Sequence, residues 1–321
     1  MATILVTGAG GFVGRHTMPT LIGDGHRIVA LTRTRAAGET VRDRLTPERR
    51  SAIELREGDV TRAESLRGAF VGVDAVLHLA AIPTDRRGGA EMRLVNTEGT
   101  RNVLVAARAA GVRRFVHLGA MGVEDAPKLR YASSKAKAER LVAESDLAWT
   151  ILKPSLMWGE GDGFFNLIAD LVRMSPGVVP IPARSTSRFQ PFWIGDLAKV
   201  ILRSFDDEAS TAGRSFPLGG PRYWTYREMV EEVLRGLGAR RAILPLPQPL
   251  IRLVARAAET LRLPFPVATD QLRQLAFDNI ASLTAVRDAF GFEPRAMDGN
   301  LGYLKKARRD QQPAVIPTAG V

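Results

Sequence analysis

The sequence predicts an α/β protein with a doubly wound parallel sheet and a smaller C-terminal lobe. Two observations carry this prediction. Between residues 2 and about 153, short runs rich in Val, Ile and Leu alternate with stretches of helical periodicity, the pattern of parallel strands covered by helices on both faces. A glycine-rich turn, TGAGG, also separates the first apolar run from the first helical stretch. Right-handed crossovers then give a doubly wound sheet, which binds ligands at the carboxyl ends of its strands.

Six strands are predicted in order, with helix-like segments between most of them. They are TILVTG, HRIVALTR, AIELREGD, DAVLHLAA, RRFVHLGA and AWTILKPS. After Pro154 the rhythm breaks, because Pro and aromatic residues become denser, and a helical half follows from about Thr225. We therefore expect a dinucleotide-binding domain over 1–153 and a smaller substrate or docking lobe over 154–305, which can return strands to the sheet. Residues 306–321 are expected to form a flexible basic tail.

The composition limits the function classes. The chain has no cysteine, which removes thiolate catalysis and Cys-ligated zinc. Its formal net charge of +11 favours an anionic cofactor, an anionic membrane surface or an acidic protein partner. Nucleic acid is not expected, because no basic run is interleaved with aromatic residues. No His, Asp and Glu cluster has metal-ligand spacing, so no metal site is predicted.

The same patterns bear on localisation. The N terminus begins directly with a strand, so no signal peptide is expected, and no stretch has the roughly 18 apolar residues of a membrane span. The sequence predicts a cytoplasmic protein, with peripheral binding at the inner face of the membrane as an option. An Arg-bearing amphipathic helix near 250–262 can rest on an anionic bilayer or be buried in the lobe.

The glycine turn predicts a bound dinucleotide. Gly8 permits a tight turn, Gly11 lets the backbone approach a pyrophosphate, and Gly14 allows close packing of helix on strand. Phe12 and Val13 begin the helix, whose unpaired N–H groups face the phosphates.

Basic residues near this turn predict the choice of dinucleotide. NAD-selective folds usually carry an acidic residue after the second strand, but this chain has Arg33 and Arg35 there, and Arg15 directly follows the last glycine. Guanidinium groups grip a phosphate bidentately, so NADPH is favoured over NADH. The alternative is a set of solvated arginines in an Arg-rich protein.

These motifs together resemble the extended or atypical short-chain dehydrogenase/reductase (NAD-dependent epimerase/dehydratase) superfamily, over residues 2 to about 305. GDV, HLAA, VNTEGTRNV, YASSK and LKPSLMWG carry the resemblance. It implies a Rossmann fold, with further cofactor contacts at Asp59, Val60, Leu79, Ala80, Ala81, Lys135, Pro154 and Ser155. Lys153 and Trp158 stand where the family has Arg and Tyr.

The C-terminal half resembles a narrower branch. GDGFFNLI, RFQPFWIGDLAKVI, FPLGGPRYWTYREM and DNIASLTAVRDAFGFEPRAM are similar to the branch that contains the NADPH-binding accessory subunit of respiratory complex I. The resemblance implies a subunit that holds NADPH without turning it over.

The Tyr-x-x-x-Lys pair is the predicted catalytic site. Tyr131 and Lys135 share a helix face, and the ammonium would hold the nicotinamide ribose and lower the Tyr pKa for proton transfer. Asn96 would support Lys135 through a water, although an Asn there can also simply kink a helix. The family's upstream hydroxyl falls at Gly119 or Ala120, which have none, and losing one such donor costs about 10²–10³ in rate.

Five residues are candidates for a substrate pocket, and two histidines lie near the predicted site. Trp158, Arg188 and Gln190 can line a substrate pocket with Gly119 and Ala120, or else bind the lobes together. His78 and His117 lie inside apolar strands and are expected to be packed rather than catalytic.

Three functions remain open at this point. The first is an NADPH-dependent oxidoreductase of a carbonyl/alcohol pair with an unknown small-molecule substrate, and the retained Tyr131 favours it. The second is a non-catalytic NADPH-binding subunit docked on a membrane enzyme such as complex I, favoured by the missing hydroxyl. The third is a nucleotide-sugar epimerase or dehydratase, which relies more on that hydroxyl.

Overall fold

The computed structural model describes residues 1–85, 88–124, 126–175, 177–183, 187–247 and 277–306. The predicted helix near 250–262 and the predicted tail beyond Lys306 lie outside these residues.

Strands and helices alternate through the first half of the chain. The strands are β1 (Thr3–Thr7), β2 (Arg27–Thr32), β3 (Ile53–Glu57), β4 (Ala75–His78), β5 (Arg114–Leu118), β6 (Ala148–Pro154), β7 (Met157–Trp158), β8 (Val178–Pro182), β9 (Arg188–Phe189), β10 (Phe192–Trp193), β11 (Arg214–Leu218), β12 (Trp224–Thr225) and β13 (Ala242–Leu246). The α-helices are α1 (Phe12–Gly23), α2 (Arg35–Asp43), α3 (Pro47–Arg50), α4 (Ala90–Met92), α5 (Gly99–Ala109), α6 (Arg130–Ala143), α7 (Phe164–Met174), α8 (Ile194–Asp206), α9 (Glu208–Thr211), α10 (Tyr226–Leu237) and α11 (Ala285–Phe290). A π-helical segment, Arg93–Glu98, joins α4 to α5.

The chain divides into two compact units. The first comprises residues 1–154, 194–218 and 285–292, and the second comprises residues 155–193, 219–284 and 293–321. The first unit thus takes in segments from the C-terminal half, among them β11, α8 and α11.

A parallel sheet of seven strands forms the centre of the first unit, in the order β11-β6-β5-β4-β1-β2-β3. The predicted doubly wound α/β fold is therefore confirmed. The chain builds β1, β2 and β3 outward in one direction and then returns to place β4 on the other side of β1. The loops after β1 and β4 consequently meet at the switch point, where such sheets bind ligands.

The sheet is held by strands that are apolar on both faces. Ile4, Leu5 and Val6 of β1 are completely buried, as a strand covered by helices on both faces requires. One face packs on α5 and α6 through a cluster that includes Leu5, Val76, Phe115, Val103 and Val142. Arg114 is a buried charged residue of this sheet, and it donates hydrogen bonds to Ala148 O, Thr150 Oγ1, Ser204 O and Thr211 Oγ1.

The second unit has its own core, centred on α7 and α10. Trp158, Phe165 and Met229 lie at its centre. α10 begins with a capping box, in which the Thr225 side chain accepts from Glu228 N and the Glu228 carboxylate accepts from Thr225 N. This cap explains why the helical half starts where the sequence analysis expects it.

Candidate cofactor and active site

The glycine loop has the backbone geometry of a phosphate cradle. Gly8 adopts φ +67°, and a Cβ there would lie 3.0 Å from Ala80 N. A Cβ on Gly14 would lie 2.5 Å from Ala9 O, and one on Gly11 would lie 3.1 Å from Gly8 O. The Gly11 N–H donates to Gly8 O at 2.9 Å and closes the turn. Gly8 and Gly14 are therefore required by shape, Gly11 is tightly packed, and the residues present fit a pyrophosphate at the start of α1.

The residues expected around the cradle lie beside it. Phe12 is the first residue of α1 and Val13 is buried. Leu79 and Ala80 follow β4, and both donate their N–H groups to Thr7 Oγ1, at 3.1 and 3.2 Å. Ala81 is exposed. The chain after β4 therefore passes across Gly8, as expected for the stretch behind the cofactor.

The three predicted arginines lie after β2 and in the first turn of α1. Arg33 follows β2 and is exposed, and Arg35 is the first residue of α2. Thr34 caps that helix, and its first turn carries no acidic residue. The Arg15 guanidinium lies 5.6 Å from the Phe12 ring centroid.

Arg44 is a further basic residue that sequence reasoning missed. Its Nη1 donates to Gly10 O at 3.5 Å, and it lines a small cavity together with Arg15 and Ala9. No local signal marks Arg44, because only the packing of α2 against the glycine loop brings it there.

The predicted adenine turn is stabilised by its own side chains. Asp59 Oδ1 accepts from Thr61 N at 2.9 Å and from Thr61 Oγ1 at 2.8 Å. Val60 O accepts from Asn102 Nδ2 at 2.9 Å. The Asp59 carboxylate thus fixes the turn, and its contact with adenine stays a prediction.

Tyr131 and Lys135 lie one turn apart on α6. Lys135 is buried, and its Nζ donates to Leu118 O at the end of β5. Burial lowers the pKa of Lys135 to about 8, with Glu139 acting in the opposite direction. Burial, followed by the charge of Glu139, raises the pKa of Tyr131 to about 12. The expected lowering of the Tyr131 pKa is therefore wrong for the protein alone, because desolvation of the phenolate dominates.

Asn96 lies in the π-helical segment with its amide engaged. Its Oδ1 accepts from Ile82 N at 2.8 Å, and its Nδ2 donates to Ile82 O and to Ser134 Oγ. Ser134 in turn donates to Tyr131 O at 2.8 Å. Asn96 thus ties the chain after β4 to α6, and its link to Lys135 through a water stays a prediction.

A buried carboxylate occupies the place beside Gly119 where a side chain would project. A Cβ on Gly119 would lie 2.6 Å from Glu139 Oε1, and that oxygen accepts from Ala120 N at 2.9 Å. Lys153 Nζ lies 3.4 Å from Glu139 Oε2 and also pairs with Glu124. Burial raises the pKa of Glu139. The lost hydroxyl has therefore not left an empty space.

Glu139 was not among the predicted site residues, although a signal was available. It lies four residues after Lys135 and eight after Tyr131, so the three side chains share one face of α6. That face also explains why the Glu139 charge acts on the pKa values of both residues.

The remaining predicted residues belong to the second unit, apart from Pro154, which ends β6. Ser155 Oγ donates to Asn279 O and accepts from Gln190 N. The Gln190 amide donates to Gly220 O and accepts from Ala281 N. Arg188 pairs with Asp278 at 3.1 Å, and Trp158 is only 2% exposed in the core.

These contacts give Ser155, Gln190 and Arg188 packing roles within the second unit. Contact of Ser155 with a cofactor and of Trp158, Arg188 and Gln190 with a substrate stays a prediction.

The two strand histidines are buried side by side, as expected. Their rings stack at 5.4 Å. Burial, with Lys135 nearby, lowers the pKa of His78 to about 3 and that of His117 well below its usual value. His78 bonds Thr7 and Thr100 through its two ring nitrogens. Both rings are therefore neutral members of the core.

Comparison with known proteins identifies the family. A family model described as NAD(P)H-binding matches residues 8–169, which include the glycine cradle, Tyr131 and Lys135. The chain belongs to the NAD(P)H-binding family. The predicted resemblance to short-chain dehydrogenases/reductases is confirmed by this match and by the relatives below.

Relatives of this family member include both an NADH dehydrogenase subunit and a hydroxysteroid dehydrogenase. NADH dehydrogenase [ubiquinone] 1 alpha subcomplex subunit 9 of Arabidopsis thaliana is 25% identical over 87% of this chain and 69% of its own length. The 3 beta-hydroxysteroid dehydrogenase/Delta 5→4-isomerase of Mycobacterium tuberculosis is 26% identical over 92% of this chain and 86% of its own. The NADPH complex of an Escherichia coli NADPH-dependent quinone oxidoreductase shares the fold, with a TM-score of 0.70 and 21% identity over 94% of this chain and 100% of that chain.

Among the described residues, no helix is long and apolar enough to cross a bilayer.

Proposed function

We propose that this NAD(P)H-binding protein is an NADPH-dependent oxidoreductase that reduces a carbonyl to an alcohol. The observation that carries the proposal is the pairing of Tyr131 with Lys135 on one face of α6, with the Lys135 ammonium bonded to the carbonyl that ends β5. Both residues therefore lie at the carboxyl edge of the sheet, where the glycine cradle also lies. The dehydrogenases and reductases among the relatives support this reaction class.

The protonation state of Tyr131 suits the reduction step of this proposed reaction. A phenol whose pKa is about 12 keeps its proton at neutral pH. It suits donation to a developing alkoxide better than removal of a proton from an alcohol. When bound, the reduced nicotinamide supplies the hydride that adds to the carbonyl carbon. Tyr131 then gives its proton to the carbonyl oxygen, and Lys135 orients the ribose.

The preference for NADPH rests on charge at the end of β2. Arg33 and Arg35 flank the Thr34 cap of α2, so cationic side chains and a helix N-terminus lie together where an NAD-selective fold would place a carboxylate. A 2′-phosphate suits that environment.

The cofactor test compares two dinucleotides on one variant. Replacing Arg33 and Arg15 by Ala should weaken NADPH at least tenfold more than NADH in a fluorescence titration. Arg49→Ala, on the short helix α3, is the control and should change neither affinity. Equal losses for NADPH and NADH would contradict the 2′-phosphate assignment.

The reaction test uses Tyr131→Phe. We expect this variant to bind NADPH within a few-fold of the wild type and to lose oxidation of NADPH against a panel of ketones, aldehydes and quinones. Ser133→Ala removes one hydroxyl from the same helix and should keep turnover. Turnover that survives Tyr131→Phe would remove Tyr131 from the mechanism.

A second candidate is a subunit that holds NADPH without turning it over. Glu139 favours it, because its carboxylate fills the space beside Gly119, one of the two positions where the family's hydroxyl is expected. Native size fractionation of soluble and gently solubilised membrane material, with nucleotide assayed in each fraction, separates the two. Comigration with a large membrane complex and stoichiometric NADPH would support the subunit, whereas a small soluble species that exchanges NADPH supports the enzyme.

A further inference from the structure

A second polar cluster lies near the amino ends of the strands, whereas the glycine cradle lies at their carboxyl ends. Asp24 follows the end of α1, His26 directly precedes β2, and Asp206 is the last residue of α8. All three belong to the first unit. The cluster is formed at the amino ends of the strands, and it has no contact with the proposed chemistry. Asp206 is distant from the other two in sequence, so the spacing of residues gave no sign of it.

The imidazole of His26 is buried, and its Nε2 points at the two carboxylates. The residue is 5% exposed, its Nδ1 accepts from Ala2 N at 3.2 Å, and the Phe205 ring packs on it with centroids 6.4 Å apart. Nε2 lies 3.8 Å from Asp24 Oδ2 and 3.6 Å from Asp206 Oδ1. Within the described part of the chain, this buried nitrogen has no hydrogen-bond partner. A buried polar atom without a hydrogen-bond partner costs free energy, so a ligand that is not part of the chain would stabilise it.

We propose that Asp24, His26 and Asp206 bind a divalent transition-metal ion of the Zn²⁺ type. Imidazole and carboxylate are ligands that such ions accept. A tetrahedral ion with bonds of about 2.1 Å holds its ligand atoms about 3.4 Å apart. The two separations that involve His26 Nε2, 3.6 and 3.8 Å, therefore need shifts of only a few tenths of an ångström. The ligand oxygens of the two aspartates lie within 4.8 Å of each other and need to approach by at most about 1.4 Å. The aspartates can make them, because their side chains are 49% and 47% exposed.

The backbone adds to the attraction for a cation. Two helices, α1 and α8, end at this cluster, and a helix C-terminus carries about half a negative charge. The last turn of α1 contains no basic residue, and the last turn of α8 contains one, Arg203. Three protein ligands leave a fourth position for water. Because the ion would join the ends of α1 and α8 to the start of β2, it would stabilise the first unit without touching the dinucleotide.

Coordination has a consequence for the N terminus. Nε2 must present a lone pair to the metal, so the proton of the neutral ring has to lie on Nδ1. Nδ1 then no longer accepts from Ala2 N, and metal binding must break that hydrogen bond. One proton leaves Nε2 and one joins Nδ1, so the ring stays neutral.

The test uses tag-free, chelator-treated protein with Co²⁺ and Zn²⁺ as the probes. The chain has four histidines and no cysteine, so a visible Co²⁺ band reports nitrogen and oxygen ligation alone. We expect one equivalent of Co²⁺ to bind, Zn²⁺ to displace it, and Zn²⁺ to raise the melting temperature whether or not NADPH is present. Asp206→Asn and Asp24→Asn should each weaken Zn²⁺ at least tenfold, and His26→Gln should abolish the Co²⁺ band.

Asp43→Asn is the matched control. Asp43 is also an exposed aspartate at the end of a helix, α2, but it is not a member of the Asp24, His26 and Asp206 cluster, so its replacement should leave Zn²⁺ affinity unchanged. If the wild type binds no Zn²⁺ below about 100 µM, the proposal is wrong. It is equally wrong if Asp206→Asn and Asp24→Asn bind Zn²⁺ like the wild type. The two Asn variants alter exposed side chains, so they report even if His26→Gln fails to fold.

Discussion

The buried ammonium of Lys135 should cost the free protein stability. Its pKa falls from 10.5 to about 8 in the fold, and each pKa unit corresponds to about 1.4 kcal/mol, so the charged form costs on the order of 3 kcal/mol at pH 7. Replacing Lys135 by Met keeps the length of the side chain and removes the charge, but also the hydrogen bond from the ammonium to Leu118 O, worth about 1.5–3 kcal/mol for a charged donor. We therefore expect Lys135→Met to raise the free energy of unfolding at pH 7 by up to about 2 kcal/mol.

The pH dependence of the free energy of unfolding tests the same Lys135 pKa shift in a second way. Below pH 8 the folded and unfolded states both hold the Lys135 proton. Between pH 8 and 10.5 the unfolded state binds the proton more tightly, so this group makes stability rise with pH. The contribution should be absent from Lys135→Met and present in Lys137→Met, an exposed lysine on the same helix.

Urea unfolding of nucleotide-free protein at several pH values measures both effects. If Lys135→Met is less stable than the wild type at pH 7, or if it keeps the rise above pH 8, the ammonium is not desolvated and the reasoning fails. The same variant should weaken NADPH binding, since the proposed function has Lys135 orient the ribose. A residue that costs stability and yet is needed for binding indicates a functional site.

Two further predictions concern shape and charge. Gly14→Ala would place its Cβ 2.5 Å from Ala9 O, which should destabilise the fold by about 1–3 kcal/mol and weaken NADPH at least tenfold in a fluorescence titration. Gly23→Ala on the same helix meets nothing within 4 Å and should bind normally. Burial raises the pKa of Asp162 from 3.8 to about 6, so the folded state binds this proton more tightly and stability should fall as pH rises from 4 to 6. Asp162→Asn should remove that fall in urea unfolding, and an unchanged pH dependence would show that Asp162 is not its source.

The parts of the fold that could be predicted are those fixed by local sequence. The cradle at Gly8 and Gly14 was predictable because a turn with positive φ and a close helix contact both require glycine. The six N-terminal strands were predictable from their continuous apolar runs. β11, the seventh strand, was only an option, because it is an edge strand that pairs with β6 alone and contains Pro217, which edge strands tolerate.

The parts that escaped prediction depend on packing between distant segments. Arg44 reaches Gly10 only because α2 lies against the glycine loop. The predicted direction of the Tyr131 pKa shift was wrong, because the burial of this residue is set by the packing of the whole first unit. Asp24, His26 and Asp206 come together only when α1 and α8 pack side by side. In each case the residue types were visible in the sequence but their separation in space was not.

Glu139 bears most directly on whether this site is an impaired enzyme or a binding site. Had the family's hydroxyl simply been lost, its space would remain open and a serine at 119 could restore it. Instead the Glu139 carboxylate occupies that space, accepts the Ala120 N–H and lies 3.4 Å from the Lys153 ammonium. A serine at 119 would therefore have to displace a buried, paired carboxylate, which is costly because the pairing of a buried charge would be disturbed. Any reduction carried out here must rely on the proton of Tyr131 and the orientation set by Lys135, without a second donor from position 119.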